Sequence, residues 1–267
     1  MIVERNQVVV SGSPEGQPIV FIHGFGCDQT MWRQVAPMFE DTFQVVTYDL
    51  TGMGKSDLAA YDMKRYAELG AHVIDLLSIM QELDLENVVL VGHSIGATIA
   101  LLAANRAPER VARLVLVSPT PSFLDDPANG FGGGFSNVDL AELITFLEEN
   151  HLGWSTRMAP TIAGKPAGEP SAEELTQSFC RTDPSIAQHF GRVTFFADER
   201  SAFEQAARPA LILHCRNDAL VPMQVADWMG ARVPGATMKV LDTTGHAPHM
   251  TVPSDVVDAM RDYLASA

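Results

Sequence analysis

"VVLVGHSIGATIALLAA", residues 88–104, sets one serine between two glycines where an apolar β-branched run gives way to an apolar alanine-rich one. The first half suits a strand buried on both faces, the second a buried helix. The G-x-S-x-G match alone carries little, since chance produces one in roughly one chain of this length in ten. Its context carries more. On a sharp strand-to-helix turn, Gly92 and Gly96 permit a strained backbone that presents Ser94 at the strand's carboxyl edge. The Ile95 N–H then points, with the helix dipole, to where negative charge would develop.

A nucleophilic serine needs a base, and the base needs an orienter. Among eight histidines, His246 in "LDTTGHAPH" follows a strand candidate and sits at the carboxyl edge where α/β sites assemble. His249 is expected at a helix start in a structural role, His93 to point away from its serine neighbour, and His214 to pack at a strand end. His72, His151 and His189 lie in helical patterns and are expected to be solvated. For the acid, Asp218 in "HCRNDALVP" follows the preceding strand and completes the order Ser94, Asp218, His246. Asp125 and Asp126 are alternatives, whereas Asp242 lies too close to His246 in sequence to bridge to it. The second oxyanion donor is the Phe25 N–H in "VFIHGFGCDQTMW", residues 20–32, with His23 expected to hydrogen-bond inside that loop. "HAPH" has no carboxylate-rich partner motif, so neither a metal nor a cofactor is expected.

Outward from these motifs, strand candidates fall at 7–12, 18–24, 44–49, 87–92, 113–118, 210–214 and 237–241. Helical patterns between them, such as 65–83 with Leu69, Val73, Leu76, Leu77 and Met80 on one stripe and 253–267 at the C-terminus, imply an α/β sheet with helices on both faces. From about Thr120 to Glu204 no strand is expected, only helical patterns with Gly/Pro-rich joints. Nine of the 13 phenylalanines lie there, which predicts a helical insertion whose aromatic face covers a pocket. Phe123, Phe135, Phe190 and Phe195 are the candidate pocket residues. "GFGGGF", residues 130–135, lacks the Lys-Ser/Thr of a phosphate loop and reads as a flexible hinge.

The totals narrow the function. At 267 residues the chain is long enough to bury a substantial core. A net charge of −15 repels phosphate backbones and anionic lipid, so nucleic acid and membrane surfaces are poor partners. No apolar run approaches the ~20 residues of a membrane span, and the N-terminal residues carry no secretory-signal pattern. Three cysteines, Cys27, Cys180 and Cys215, without C-x-x-C suit a reducing cytoplasm rather than a disulfide framework or a zinc site. Cys27 is expected to pack, or to form part of a pocket wall.

Along essentially its whole length the chain resembles the α/β-hydrolase superfamily, through "HGFG" (23–26), "YDLTGMGKSD" (48–57), "GHSIG" (92–96), "ND" (217–218) and "GH" (245–246). "GFGCDQTMW" (24–32), "SDLAAYDMKRY" (56–66) and "FCRTDPSIAQHFGRVTFFADER" (179–200) more narrowly resemble the group containing the bacterial stress regulator RsbQ and the plant karrikin and strigolactone receptors. The resemblance implies a mostly parallel α/β-hydrolase sheet with a helical cap inserted after the sixth strand. The core would be 1–119 and 205–267, and the cap 120–204 over an apolar pocket. Ser94, His246 and Asp218 match the triad. The implied activity is hydrolysis of a small apolar ester, lactone or butenolide-like ligand without a cofactor. An RsbQ-like sensing role with a PP2C-type phosphatase partner is also implied, and the alternative is a ligand-binding signalling protein with little turnover. Haloperoxidase-like or C–C bond hydrolase chemistry would use the same triad.

Overall fold

The continuous apolar runs become the interior strands of one sheet. A computed structural model describes residues 1–266. In chain order the core begins with α1 (Ile2–Arg5), β1 (Val9–Gly12), β2 (Gln17–Ile22), β3 (Phe43–Thr47), α2 (Gly70–Glu82), β4 (Val88–His93), α3 (Ile95–Arg106) and β5 (Val111–Val117). Four helices follow: α4 (Asn137–Glu149), α5 (His151–Ala163), α6 (Pro170–Arg181) and α7 (Pro184–Phe195). The chain closes with α8 (Arg200–Glu204), β6 (Ala210–Asn217), α9 (Met223–Arg232), β7 (Ala236–Thr244), α10 (Pro248–Thr251) and α11 (Pro253–Ala265).

The seven strands lie in the order β1-β3-β2-β4-β5-β6-β7. All neighbours are parallel except β1, which runs antiparallel to β3 at the edge. Every residue of β4 is buried, as a central parallel strand requires, while β1 is mostly exposed. The chain runs outward from β2 to β3 and then returns past β2 to β4. Their paired carboxyl ends, with Ile22 opposite Gly92, therefore form the point where connections diverge and a crevice opens.

The insert interrupts the sheet between β5 and β6, after the fifth strand rather than the sixth, because only five strands precede it. Three of its four helices start on local side-chain caps. Ser136 and Asp139 form a capping box, while Asn150 and Asp183 cap α5 and α7. A bridge between Ser122 and Asp198 closes its neck. The "GFGGGF" joint is tied down rather than left as a free hinge. Bridges pair Asp126 with Phe131 and Leu124 with Phe135, and the buried Phe131 ring meets Trp228 edge-on at 5.4 Å.

Helix α2 begins at Gly70, not Arg65 as its periodicity suggests, because Asp75 draws the preceding segment into turns. Its carboxylate accepts from Tyr66 Oη at 2.6 Å and Arg65 Nη2 at 2.7 Å. The solvated reading of the helical histidines fails for His72. That ring is fully buried between Tyr66 and Phe190, with neither nitrogen hydrogen-bonded among the described residues, because α7 covers the face of α2 that an isolated helix would expose. His151 and His189 are half-buried, and Tyr61 Oη lies 2.8 Å from His189 Nδ1.

Buried imidazoles make stability depend on pH. Burial, the leading cause at each, holds His72 and His93 at about 3 and lowers His23, His214 and His249 from the ordinary 6.5. Below pH 6.5 the unfolded chain takes up protons that the folded chain refuses, so stability is lost as pH falls toward about 3. Denaturant titrations are expected to show the unfolding free energy falling by about 1.4 kcal/mol per pH unit for each histidine fully withheld from protonation. His72→Leu should make that slope shallower. A flat profile over this window would contradict the account.

Candidate active site

Ser94 stands between β4 and α3 with φ 54° and ψ −122°, a left-handed conformation that costs a serine on the order of 1–3 kcal/mol. The glycines serve close approach rather than unusual dihedrals of their own. A Cβ on Gly96 would lie 2.5 Å from the His23 carbonyl oxygen and 2.6 Å from that of Ile22, and one on Gly92 would strike the backbone of Gly96 and Ala97. The Ser94 N–H donates to the Val117 carbonyl at 2.9 Å, and its own carbonyl accepts from Ala97 and Thr98. Its hydroxyl does not cap the helix, the usual role of a serine at this position, and stays available to a base.

The base and acid arrive together from the far strands. Asn217 pairs with Thr244, and the Gly245 N–H donates to the Asn217 carbonyl at 3.0 Å, which zips the ends of β6 and β7. His246 Nδ1 lies 2.9 and 3.0 Å from the Asp218 carboxylate oxygens, and its Nε2 lies 2.9 Å from Ser94 Oγ. All three groups are buried. Burial works to raise the Asp218 pKa. The His246 charge and hydrogen bond, with N–H donation from Leu220 at 2.8 Å and Val221 at 3.0 Å, outweigh it and hold the carboxyl below its ordinary range. The rival acids are engaged elsewhere, Asp126 with Arg200 and Asp242 with Arg216.

Around this run lie neutral imidazoles. His93 Nε2 donates to the His246 carbonyl at 2.8 Å, so it braces the base while its ring lies tilted 4.3 Å from His249, which in turn lies 4.5 Å from Trp32. Burial first, and then a neighbouring imidazole, that of His246 for His93 and that of His93 for His249, keeps both uncharged. His23 donates from Nδ1 to the Gly24 carbonyl and accepts the Leu50 N–H at Nε2, which shapes the loop ahead of Phe25. Among the described residues, neither the Phe25 nor the Ile95 N–H donates to a backbone or side-chain acceptor, so both are free to bind an oxyanion.

The cavity over Ser94 is small, about 30 Å³. Its floor is Ser94, His246, His93, Phe25, Cys27 and Leu220; its roof and walls bring Phe123, Ile162, Leu175, Phe179, Thr194 and Phe195. Phe123 and Phe195 line it. Phe135 and Phe190 do not: Phe135 backs Phe123 at 6.3 Å, and Phe190 packs outward on His72 and behind Phe25. Sequence reasoning missed Ile162, Leu175, Phe179 and Thr194, although the four-residue spacing of Leu175 and Phe179 places them on one helix face. A larger groove of about 700 Å³ between α2 and α7 reaches none of Ser94, His246 or Asp218.

A family model described as "Alpha/beta hydrolase family" matches residues 19–259. The chain belongs to the alpha/beta hydrolase family. Within it, the chain is 35% identical over 255 residues to strigolactone esterase RMS3 of Pisum sativum, covering 95% of this chain and 94% of that one. It is 29% identical to karrikin insensitive 2 receptor CA of Petunia hybrida, with coverage of 99% and 97%. The solved structure of a hydrolase from Oleispira antarctica superposes with a TM-score of 0.95 at 34% identity, covering 100% of this chain and 97% of that one. Among the described residues, no helix is long and apolar enough to cross a membrane.

The close packing of the elbow predicts a specific cost. Gly96→Ala must push α3 away from the end of β2 and is expected to destabilise the fold by about 1–3 kcal/mol. Denaturant titration measures it, and unchanged stability would mean that the elbow yields more easily than its contacts imply.

Proposed function

We propose that this hydrolase cleaves small apolar esters, lactones or butenolide-like ligands through Ser94, His246 and Asp218. The observation that carries the reading is the unbroken hydrogen-bonded run from Asp218 through His246 to Ser94, ending in an apolar cavity beside two free N–H groups. Residues 120–204 serve as a cap on a core formed by 1–119 and 205–267, with the short α8 resting on α3 and α9 at the boundary. That relatives of nearly equal length are named strigolactone esterases supports an ester or lactone substrate. The unpaired Cys27, Cys180 and Cys215 support a reducing, cytoplasmic setting.

Ser94 Oγ attacks the acyl carbonyl as His246 Nε2 takes its proton. Asp218 holds the imidazole in the tautomer that leaves Nε2 free to accept, and stabilises the cation that forms. The carbonyl oxygen becomes an oxyanion bound by the Phe25 and Ile95 N–H groups, each contributing ~10²–10³ in rate if aligned. Collapse expels the alcohol, which leaves with the proton from His246. Water then gives a proton to His246 and attacks the acyl-enzyme, and Ser94 departs reprotonated with the acid released. No cofactor enters these steps.

A second reading, a sensor that acts on a PP2C-type phosphatase with little turnover, draws support from the cavity size. About 30 Å³ holds no ligand of the size that binding pockets ordinarily take, ~300 Å³ or more, so ligation must move the cap and change the outer surface. Copurification with such a phosphatase, strengthened by ligand, would favour it.

Hydrolysis of p-nitrophenyl butyrate tests the first reading. Ser94→Ala is expected to abolish turnover, and equal rates for variant and wild type would sink the mechanism. Asp218→Asn should keep the fold, since its side-chain oxygen still accepts from Leu220 and Val221, while kcat falls by about 10⁴.

A further inference from the structure

Thr194 lies on α7, is 2% exposed and contributes to the roof of the cavity over Ser94. Its hydroxyl is buried without a hydrogen-bond partner among the described residues. Three other helical hydroxyls of the insert are satisfied by the carbonyl four residues back. Ser155 donates to His151 at 2.8 Å, Thr156 to Leu152 at 2.7 Å and Thr176 to Ala172 at 2.8 Å. Thr194 makes no such bond to Phe190, although the helix offers it. A buried hydroxyl with no partner is a standing cost that folded proteins rarely keep without use.

Its neighbours sharpen the point. The rest of the roof is hydrocarbon and aromatic: Phe123, Ile162, Leu175, Phe179 and Phe195. Burial keeps the Cys27 thiol protonated and a weak partner. His93 also lines the cavity and has an unpartnered Nδ1, but that atom faces the Gly24 backbone, where a Cβ would lie 2.7 Å from it. The reacting carbonyl is served from the floor by the Phe25 and Ile95 N–H groups. A hydroxyl in the roof has no part in that chemistry.

We propose that Thr194 is a specificity-determining residue whose hydroxyl pairs with a second polar oxygen of the substrate, outside the reacting ester group. Resting on the hydrolase reading above, this narrows the substrate class to compact esters or lactones that carry a further hydroxyl, oxo or ether oxygen on the part facing α7. A plain alkyl ester leaves the hydroxyl buried and unpaired, whereas an oxygen-bearing one satisfies it.

The test uses acyl pairs matched in length, p-nitrophenyl butyrate against methoxyacetate and pentanoate against 3-methoxypropionate, in which an ether oxygen replaces one methylene. The kcat/KM of each oxygenated ester is divided by that of its alkyl match, so intrinsic reactivity and general effects on the pocket cancel between proteins. For at least one pair, Thr194→Val is expected to lower this ratio about fivefold or more relative to wild type, and Thr194→Ser to restore it. The unliganded Thr194→Val protein should melt no lower than wild type, because it loses an unpaired hydroxyl. Unmoved ratios in both pairs, or a marked drop in Tm, would overturn the proposal. Calorimetric binding of the same esters to Ser94→Ala and to Ser94→Ala/Thr194→Val makes the comparison without turnover. If wild type proves inactive the hydrolase reading fails, and the binding ratio still decides the role of Thr194.

Discussion

One close approach governs the site. Helix α3 begins in contact with the end of β2, with Gly96 against the Ile22 and His23 carbonyls, and nothing larger than hydrogen fits there. That contact lets the chain leave β4 through a turn tight enough to hold Ser94 at positive φ. It also brings the Phe25 loop, which leaves β2, beside the Ile95 N–H. The candidate nucleophile and both candidate oxyanion donors are thus products of the same packing constraint. The strain at Ser94 is carried by the burial of β2, β4 and α3 around it, where the core is close-packed and cannot relax locally.

The other half of the site depends on strand register rather than on a turn. Pairing between Asn217 and Thr244 carries the ends of β6 and β7 forward together, so Asp218 and His246 emerge as neighbours. Placement of the acid beside a buried base overcomes the cost of burying a carboxylate, because the imidazole and the Leu220 and Val221 N–H groups compensate its charge. The imidazoles nearby stay neutral. They therefore place no positive charge beside His246, while His93 still donates to the His246 carbonyl.

The insert is more than a cover. The His246 N–H donates to the Ile162 carbonyl at the end of α5, at 2.6 Å, and Ser178 of α6 donates to the Gly26 carbonyl at 2.9 Å. Its aromatic residues gather on the Phe25 ring, which has Trp154, Phe190 and Phe195 within 6 Å between centroids. The floor and the roof of the cavity are therefore joined through one loop. The cavity over Ser94 is far smaller than an ordinary ligand pocket of ~300 Å³ or more.

By itself the sequence determined the parts that obey local rules. Seven apolar runs became seven strands, the elbow followed from glycine spacing between a strand and a helix, and the order Ser94, Asp218, His246 picked out residues that meet within hydrogen-bond distance. Periodicity and turn chemistry act within a few residues, so they survive in the linear chain. The tertiary structure alone decided what the insert's side chains face. His72 sits on a helix whose exposed side exists only until α7 lies on it, and Phe190, the residue that covers it, is thereby turned away from the cavity. Phe179 and Thr194 instead reach the cavity through the way α6 and α7 dock over the sheet. Helix amphipathicity says that a face will be buried but not against what, because the partner surface is built from residues far away in the chain.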